Sequence, residues 1–269
     1  MEIRGHGLIA TALHAYRDRL PDVVAFAKGV ATSAPLQVAA YDREARDLYE
    51  AIEDCRRDGR RLVYFSSGGS IYGPSEEPRA EDDALFPVNA YGRHQVVCET
   101  VIRMAGVRHL IVRLPNVVGS GRNPAQLVPA LVAQCLDGRV TVFADATRDL
   151  IGVDDTARLV VRLLEVAPEA GTVQVASGIS SPVSALVAEV QRILGTSALE
   201  EVKPGGDRQG FATDRLVQLL GDEATFAADY PTMILRRYVP DIARRLRLPR
   251  DEPDATGGPE PRPGPAGGG

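Results

Sequence analysis

The chain has 269 residues, 44% hydrophobic and 25% charged, enough for one substantial core and a small satellite lobe and too little for several domains. A formal net charge of -5 gives no basic surface to draw the protein onto nucleic acid or an anionic membrane, so neither is expected as a partner. No stretch of about 18 apolar residues is present to span a bilayer, the first residues lack the layout of a signal peptide, and Cys55, Cys98 and Cys135 form neither a disulfide framework nor a C-x-x-C clip. These features predict a cytoplasmic protein with structural cysteines and no metal site.

Residues 1–4 are followed by Gly5-His6-Gly7-Leu8-Ile9-Ala10, a G-x-G-x-x-A turn that opens a helix. Glycines in such a turn let the backbone approach a pyrophosphate, and the helix N-terminus adds N–H groups and partial positive charge. Taken alone, the turn fits a plain strand-to-helix connection equally well. Apolar segments at 23–27, 62–65, 110–114 and 173–176 alternate with segments of helical period, the pattern of a parallel sheet with helices on both faces. Over 41–58, Tyr41, Ala45, Leu48, Ile52 and Cys55 recur at three and four behind Asp42 as N-cap, which predicts an amphipathic helix. Helices are also predicted over 90–105 and over 154–166, where Asp154 and Asp155 suit the positive end of the dipole.

Past about residue 150 the strands thin out and helical segments at 182–194 and 232–246 dominate. The predicted organisation is a shortened Rossmann domain over 1–150 with returning segments to about 180, a small mainly helical substrate lobe over 151–250, and a tail over 251–269. That tail is almost entirely Asp, Glu, Pro, Gly and Ala, and its composition predicts disorder.

Three further motifs follow the glycine turn in order. Leu62-Val-Tyr-Phe-Ser-Ser-Gly-Gly-Ser-Ile-Tyr-Gly73 precedes Tyr91-Gly-Arg-His-Gln95, then Arg113-Leu-Pro-Asn-Val-Val-Gly119 and Arg148-Asp-Leu-Ile-Gly-Val-Asp-Asp155. Over about residues 1–195 this set resembles the extended short-chain dehydrogenase/reductases, the epimerase/dehydratase group acting on nucleotide sugars. The resemblance implies a doubly wound parallel sheet, an NAD(P)H cofactor, a nucleotide-sugar or other small ketone substrate, and a homodimer packed through the helix at 90–105. It also implies that Tyr91 exchanges a proton with the substrate oxygen, with Ser67 or Ser70 bonded to the same oxygen. By the same resemblance Gly5, Gly7, Leu8, Ile9, Lys28, Gly29, Ser66, Pro115 and Asn116 face the cofactor, while Arg148 clamps a diphosphate and Asn123 and Gln126 contact the sugar nucleotide.

The chain departs from the family pattern at three places. Gln95 stands where the family has the Lys that binds the nicotinamide ribose, and Gly68 stands at the usual Ser/Thr position. About one strand-helix unit is missing between the first helix and the strand at 23–27, and with it the residue that selects NAD or NADP at the ribose 2′ position. Arg17, Arg19 and Lys28 are the remaining candidates for a 2′-phosphate, giving NADP a slight preference. Without a cation beside it Tyr91 is expected to stay protonated, which suits proton donation during ketone reduction better than the oxidation that begins an epimerisation. The segment Phe26-Ala-Lys-Gly-Val-Ala-Thr-Ser33 and the Arg148 run look most like the 4-ketoreductases that finish nucleotide-activated deoxysugars in antibiotic pathways. A ketoreductase of an aromatic polyketide, a nucleotide-sugar epimerase or dehydratase, and a non-catalytic dinucleotide-binding protein are the alternatives.

Overall fold

The computed structural model describes residues 1–29, 38–121, 123, 125–167 and 171–247. In chain order the elements are β1 (Glu2–Arg4), α1 (Leu8–Leu13), β2 (Val23–Phe26), α2 (Val38–Asp58), β3 (Arg61–Ser67), α3 (Gly68–Ile71), α4 (Ala90–Met104), β4 (His109–Leu114), β5 (Asn116–Val118) and α5 (Leu127–Leu136). There follow β6 (Arg139–Phe143), β7 (Thr147–Gly152), α6 (Val153–Val166), β8 (Gly171–Gln174), β9 (Ser180–Pro182), α7 (Val183–Leu194), β10 (Leu199–Lys203), α8 (Asp214–Leu220) and α9 (Tyr230–Arg247). The main sheet is parallel throughout and runs β1-β2-β3-β4-β8. Smaller sheets join β6 with β10 and β7 with both β5 and β9.

The two-residue period of the strands divides the core. Val24, Phe26, Leu62, Tyr64 and Ile111 point to one face, against Leu48, Ile52 and Cys55 of α2 and Cys98 and Ile102 of α4. Val23, Val63, Leu110 and Val112 point to the other, against Leu159 and Leu163 of α6 and Leu216 of α8. The helix predicted over 90–105 is α4, and its start is fixed by Asn89, whose Oδ1 accepts from Gly92 N at 2.7 Å.

One expectation is corrected: Asp42 is not an N-cap, because Val38–Tyr41 already lies inside α2. Packing draws on segments from both sides of residue 150. The α5–β6 segment packs with α7 and α9 in a core of its own through Val132, Val140, Val187, Leu235 and Val239, while α6, β8 and α8 return to the main sheet. The satellite lobe is thus assembled from both sides of that point, because each crossover must deliver its strand back to the parallel sheet. The tail over 251–269, like Thr32 and Ser33, lies outside the described residues.

Candidate active site

The main-sheet strands end at a common edge, and the chain turns there expose Gly7 after β1, Ala27 and Gly29 after β2, Ser66 and Ser67 at the end of β3, and Leu114 to Asn116 after β4. With Tyr91 and Gln95 of α4 and Gln126 and Val128 from the satellite lobe they line a cavity of about 260 Å³. A cleft at the carboxyl ends of parallel strands is where α/β sheets take ligands.

Two glycines shape the first turn. Gly5 has φ of +138°, and a Cβ there would lie 2.2 Å from the Ala27 carbonyl oxygen, so only glycine lets β1 run this close to the β2 turn. Nothing lies within 4 Å of the Cβ position of Gly7, which leaves that backbone open to the cavity. Gly92 plays a similar part on the opposite wall: its Cβ would meet the Ser70 carbonyl oxygen at 2.0 Å, so its absence brings α4, and with it Tyr91, against α3.

Tyr91 is half-buried at the cavity wall beside Ser67. Burial raises its phenol well above the ordinary value and the Glu44 charge adds to the rise, while the Ser67 hydroxyl opposes it. The side chain is therefore a phenol and not a phenolate at neutral pH. Gln95 is 1% exposed, and its Oε1 accepts from the Tyr64 hydroxyl at 2.9 Å. The same hydroxyl lies 3.2 Å from Glu44 Oε1, so the neighbourhood that a lysine would make positive contains a carboxylate. Asn116 is anchored by donating from Nδ2 to the Asp149 carbonyl at 3.2 Å. Asp149 accepts from Ser177 Oγ at 2.7 Å and Gly178 N at 2.8 Å; burial lifts its carboxyl to about 7 against the pull of these donors.

Of the residues singled out in the sequence, Tyr91, Ser67, Ser70, Gln95, Gly7, Leu8, Ile9, Gly29, Ser66, Pro115, Asn116 and Gln126 meet at this cavity. Four do not line it. Gly5 acts through the turn geometry. Lys28 Nζ is 2.6 Å from Asp47 Oδ2 on α2. Asn123 is exposed and accepts from Ala125 N at 3.0 Å, a local Asx turn. Arg148 points away, donating from Nη2 to Asp207 Oδ1 at 2.7 Å and from Nη1 to the Thr147 and Asp207 carbonyls at 2.8 Å. In this structure the Arg148 guanidinium holds the 203–211 segment to β7. Among the 2′-phosphate candidates, Arg19 is paired with Glu165 and Arg17 Nε sits 3.6 Å from Asp18. Sequence reading missed Glu44 and Tyr64. The signal was present, since Glu44 falls on the apolar stripe of α2 between Tyr41 and Leu48, where a carboxylate needs a buried reason.

A parallel sheet with a cleft at its strand ends, an open glycine turn on one side and a Tyr–Ser wall on the other define a nucleotide-binding α/β protein. The chain belongs to the NAD dependent epimerase/dehydratase family, whose model matches residues 9–176. Among curated proteins it is 26% identical over 164 residues to dTDP-4-dehydro-6-deoxyglucose reductase of Escherichia coli, covering 57% of this chain and 50% of that protein. It is 32% identical over 201 residues to UDP-glucose 4-epimerase of Azospirillum brasilense, covering 62% and 57%. The chain thus spans about half the length of these relatives. The fold also matches that of RMD from Pseudomonas aeruginosa complexed with NADPH, with a TM-score of 0.72, 20% identity and coverage of 91% and 99%.

The residues present fit the pyrophosphate and nicotinamide portion of a dinucleotide, since the open Gly7 backbone leads into the cavity lined by Pro115, Asn116 and Tyr91. On the other side the main sheet stops at β1: among the described residues no strand lies beyond it to carry a ribose-selecting side chain. In the described residues no helix is long and apolar enough to cross a membrane.

Proposed function

We propose that the protein reduces a ketone with NAD(P)H, the substrate being the 4-keto group of a nucleotide-activated deoxysugar. The observation that carries this reading is the placing of Tyr91, a half-buried side chain at the cavity wall beside Ser67 whose phenol is kept protonated by burial. The reduced nicotinamide, when bound, supplies a hydride to the carbonyl carbon. Tyr91 gives its proton to the oxygen as negative charge develops there, and Ser67 or Ser70 bonds that oxygen and orients it. The Gly5–Gly7 turn holds the pyrophosphate, and Gln95 presents an amide to the ribose hydroxyls in place of an ammonium. The curated reductase relative supports the substrate class.

A second reading is favoured by one observation, the engagement of Arg148 with Asp207. With that guanidinium occupied, a ketone that has no diphosphate, such as an aromatic polyketide, fits the same acid. The test is loss of reduced-nicotinamide absorbance with a dTDP-4-keto-6-deoxysugar and with an aromatic polyketide ketone in parallel. Turnover of the sugar, reduced about 10²–10⁴-fold in Tyr91→Phe with cofactor affinity unchanged, is the expected result. Turnover of the polyketide alone selects the second reading, and cofactor binding with no turnover of either selects a non-catalytic dinucleotide-binding protein. The homodimer belongs to the same proposal: Val97 and Met104 of α4 and Tyr49 of α2 leave apolar surface exposed, and light scattering should return twice the chain mass.

A further inference from the structure

We propose that Glu44, His94 and Cys98 form a metal site for a zinc-type divalent cation that ties α2 to α4 behind the cavity wall. His94 and Cys98 are four apart on α4 and so share one face of the helix, and Glu44 of α2 points at that face. Their ligand atoms all lie within 4.8 Å of one another, and Glu44 and Cys98 are each 3% exposed.

The geometry differs from that of a catalytic triad. A triad places its acid and its nucleophile on opposite nitrogens of the imidazole. Here both address the same one: Glu44 Oε2 is 3.3 Å from His94 Nε2, and Cys98 Sγ is 3.5 Å from that atom. A cation bound at that nitrogen would find the carboxylate and the thiolate beside it. With metal bonds of about 2.0 Å to nitrogen and oxygen and about 2.3 Å to sulfur, a tetrahedral ion sets its N···O and N···S edges near 3.3 and 3.5 Å. Two of the three observed separations match those edges, and the third, Glu44 to Cys98, lies within 4.8 Å and must close on binding.

The surroundings also suit a metal. The Tyr64 hydroxyl lies 3.2 Å from the other Glu44 oxygen, where it fixes the carboxylate as outer partners of metal ligands do. The Tyr41 ring packs over the imidazole at 4.7 Å between centroids and fixes its plane. A thiolate, an imidazole and a carboxylate are the donors that select zinc over magnesium or calcium. Three protein ligands leave a fourth position for a water or an exogenous ligand.

Chelator-treated full-length protein titrated with Co²⁺ tests this directly. The expected result is saturation at one Co²⁺ per chain, with a sulfur-to-metal band in the near ultraviolet and visible bands of tetrahedral intensity, both abolished by excess Zn²⁺. Cys98→Ala should lose the sulfur band, while Cys55→Ala, which removes another thiol from the same core, should keep it. If Cys98→Ala fails to fold by circular dichroism, Glu44→Gln decides, with Co²⁺ affinity expected to fall by about tenfold or more, at least the loss typical of an outer partner. Absence of the sulfur band in the unaltered protein, its persistence in Cys98→Ala, or unchanged affinity in Glu44→Gln would overturn the site and leave a cluster held by a proton.

Discussion

Gly68 occupies the position where the family resemblance leads one to look for a Ser or Thr, and its neighbours explain the exchange. A Cβ on Gly68 would lie 2.3 Å from Phe211 Cε1 and 2.9 Å from Phe211 Cζ. Phe211 is itself 4% exposed and packs with Ile71 and Tyr72, so its ring has nowhere to retreat. Restoring the family residue with Gly68→Ser should therefore overpack this corner and cost about 1–3 kcal/mol, read as a lower urea midpoint. Adding Phe211→Leu should return most of that loss, since the two changes share one contact. A Gly68→Ser variant as stable as the parent would show that the ring moves aside. The same argument bears on what the sequence could convey. Tyr91, Ser67 and Asn116 were legible because their motifs fix both residue type and spacing. That a phenyl ring 143 positions away fills the Ser/Thr pocket was not, because side-chain volume at a long-range contact leaves no mark on local pattern. The pairing of Arg148 was hidden for a related reason: the motif fixes the guanidinium, but its partner Asp207 comes from a segment with no motif.

The helices followed their apolar periods closely, and the errors lie where a second signal overruled the pattern. Asp42 reads as a cap, yet the preceding Val38-Ala39-Ala40-Tyr41 is already helical, and Ala39 and Ala40, the best helix formers, extend the helix past it. The lobe helices α7 and α9 were legible as separate segments, but their mutual clasp was not. Glu189 of α7 accepts from Arg192 Nε at 2.7 Å and Nη2 at 2.6 Å, and from Arg236 Nε of α9 at 2.8 Å. The Arg192 guanidinium, ahead of Arg236, holds its carboxyl down at about 2, from an ordinary value of 4.5. A depressed carboxyl contributes stability that is present above about 4.5 and lost as pH falls through about 2. Glu189→Gln should therefore lower the thermal midpoint at pH 6, with the gap to the parent closing as pH approaches 2. Because these arginines are more than half exposed, the effect stays within about 1 kcal/mol and shrinks in high salt. A gap that is constant across pH would assign the effect to packing instead of charge.

At the scale of the whole molecule the main feature is a sheet that grows in one direction. A doubly wound dinucleotide fold places its first strand centrally, at the point where strand order reverses, so that adenosine and nicotinamide lie on opposite sides of it. Here β1 is the edge, and the order β1-β2-β3-β4-β8 proceeds away from it without reversal among the described residues. The sheet order was not legible in the sequence, because order is set by pairing between strands distant in the chain. The consequence falls on cofactor choice. Among the described residues, the glycine turn and the nicotinamide pocket would meet parts common to NADH and NADPH, and Arg17, Arg19 and Lys28 each sit beside a carboxylate. Lys28 would have to leave Asp47 to reach a phosphate, exchanging one ion pair for another. Equilibrium titration should therefore give dissociation constants for the two cofactors within about fivefold, the most that an exposed ion pair of roughly 1 kcal/mol supports. Lys28→Ala should leave their ratio nearly unchanged. A strong NADPH preference abolished by Lys28→Ala would instead mean that Lys28 releases Asp47 for the 2′-phosphate, and that the edge of the sheet, and not a further strand, supplies the selectivity.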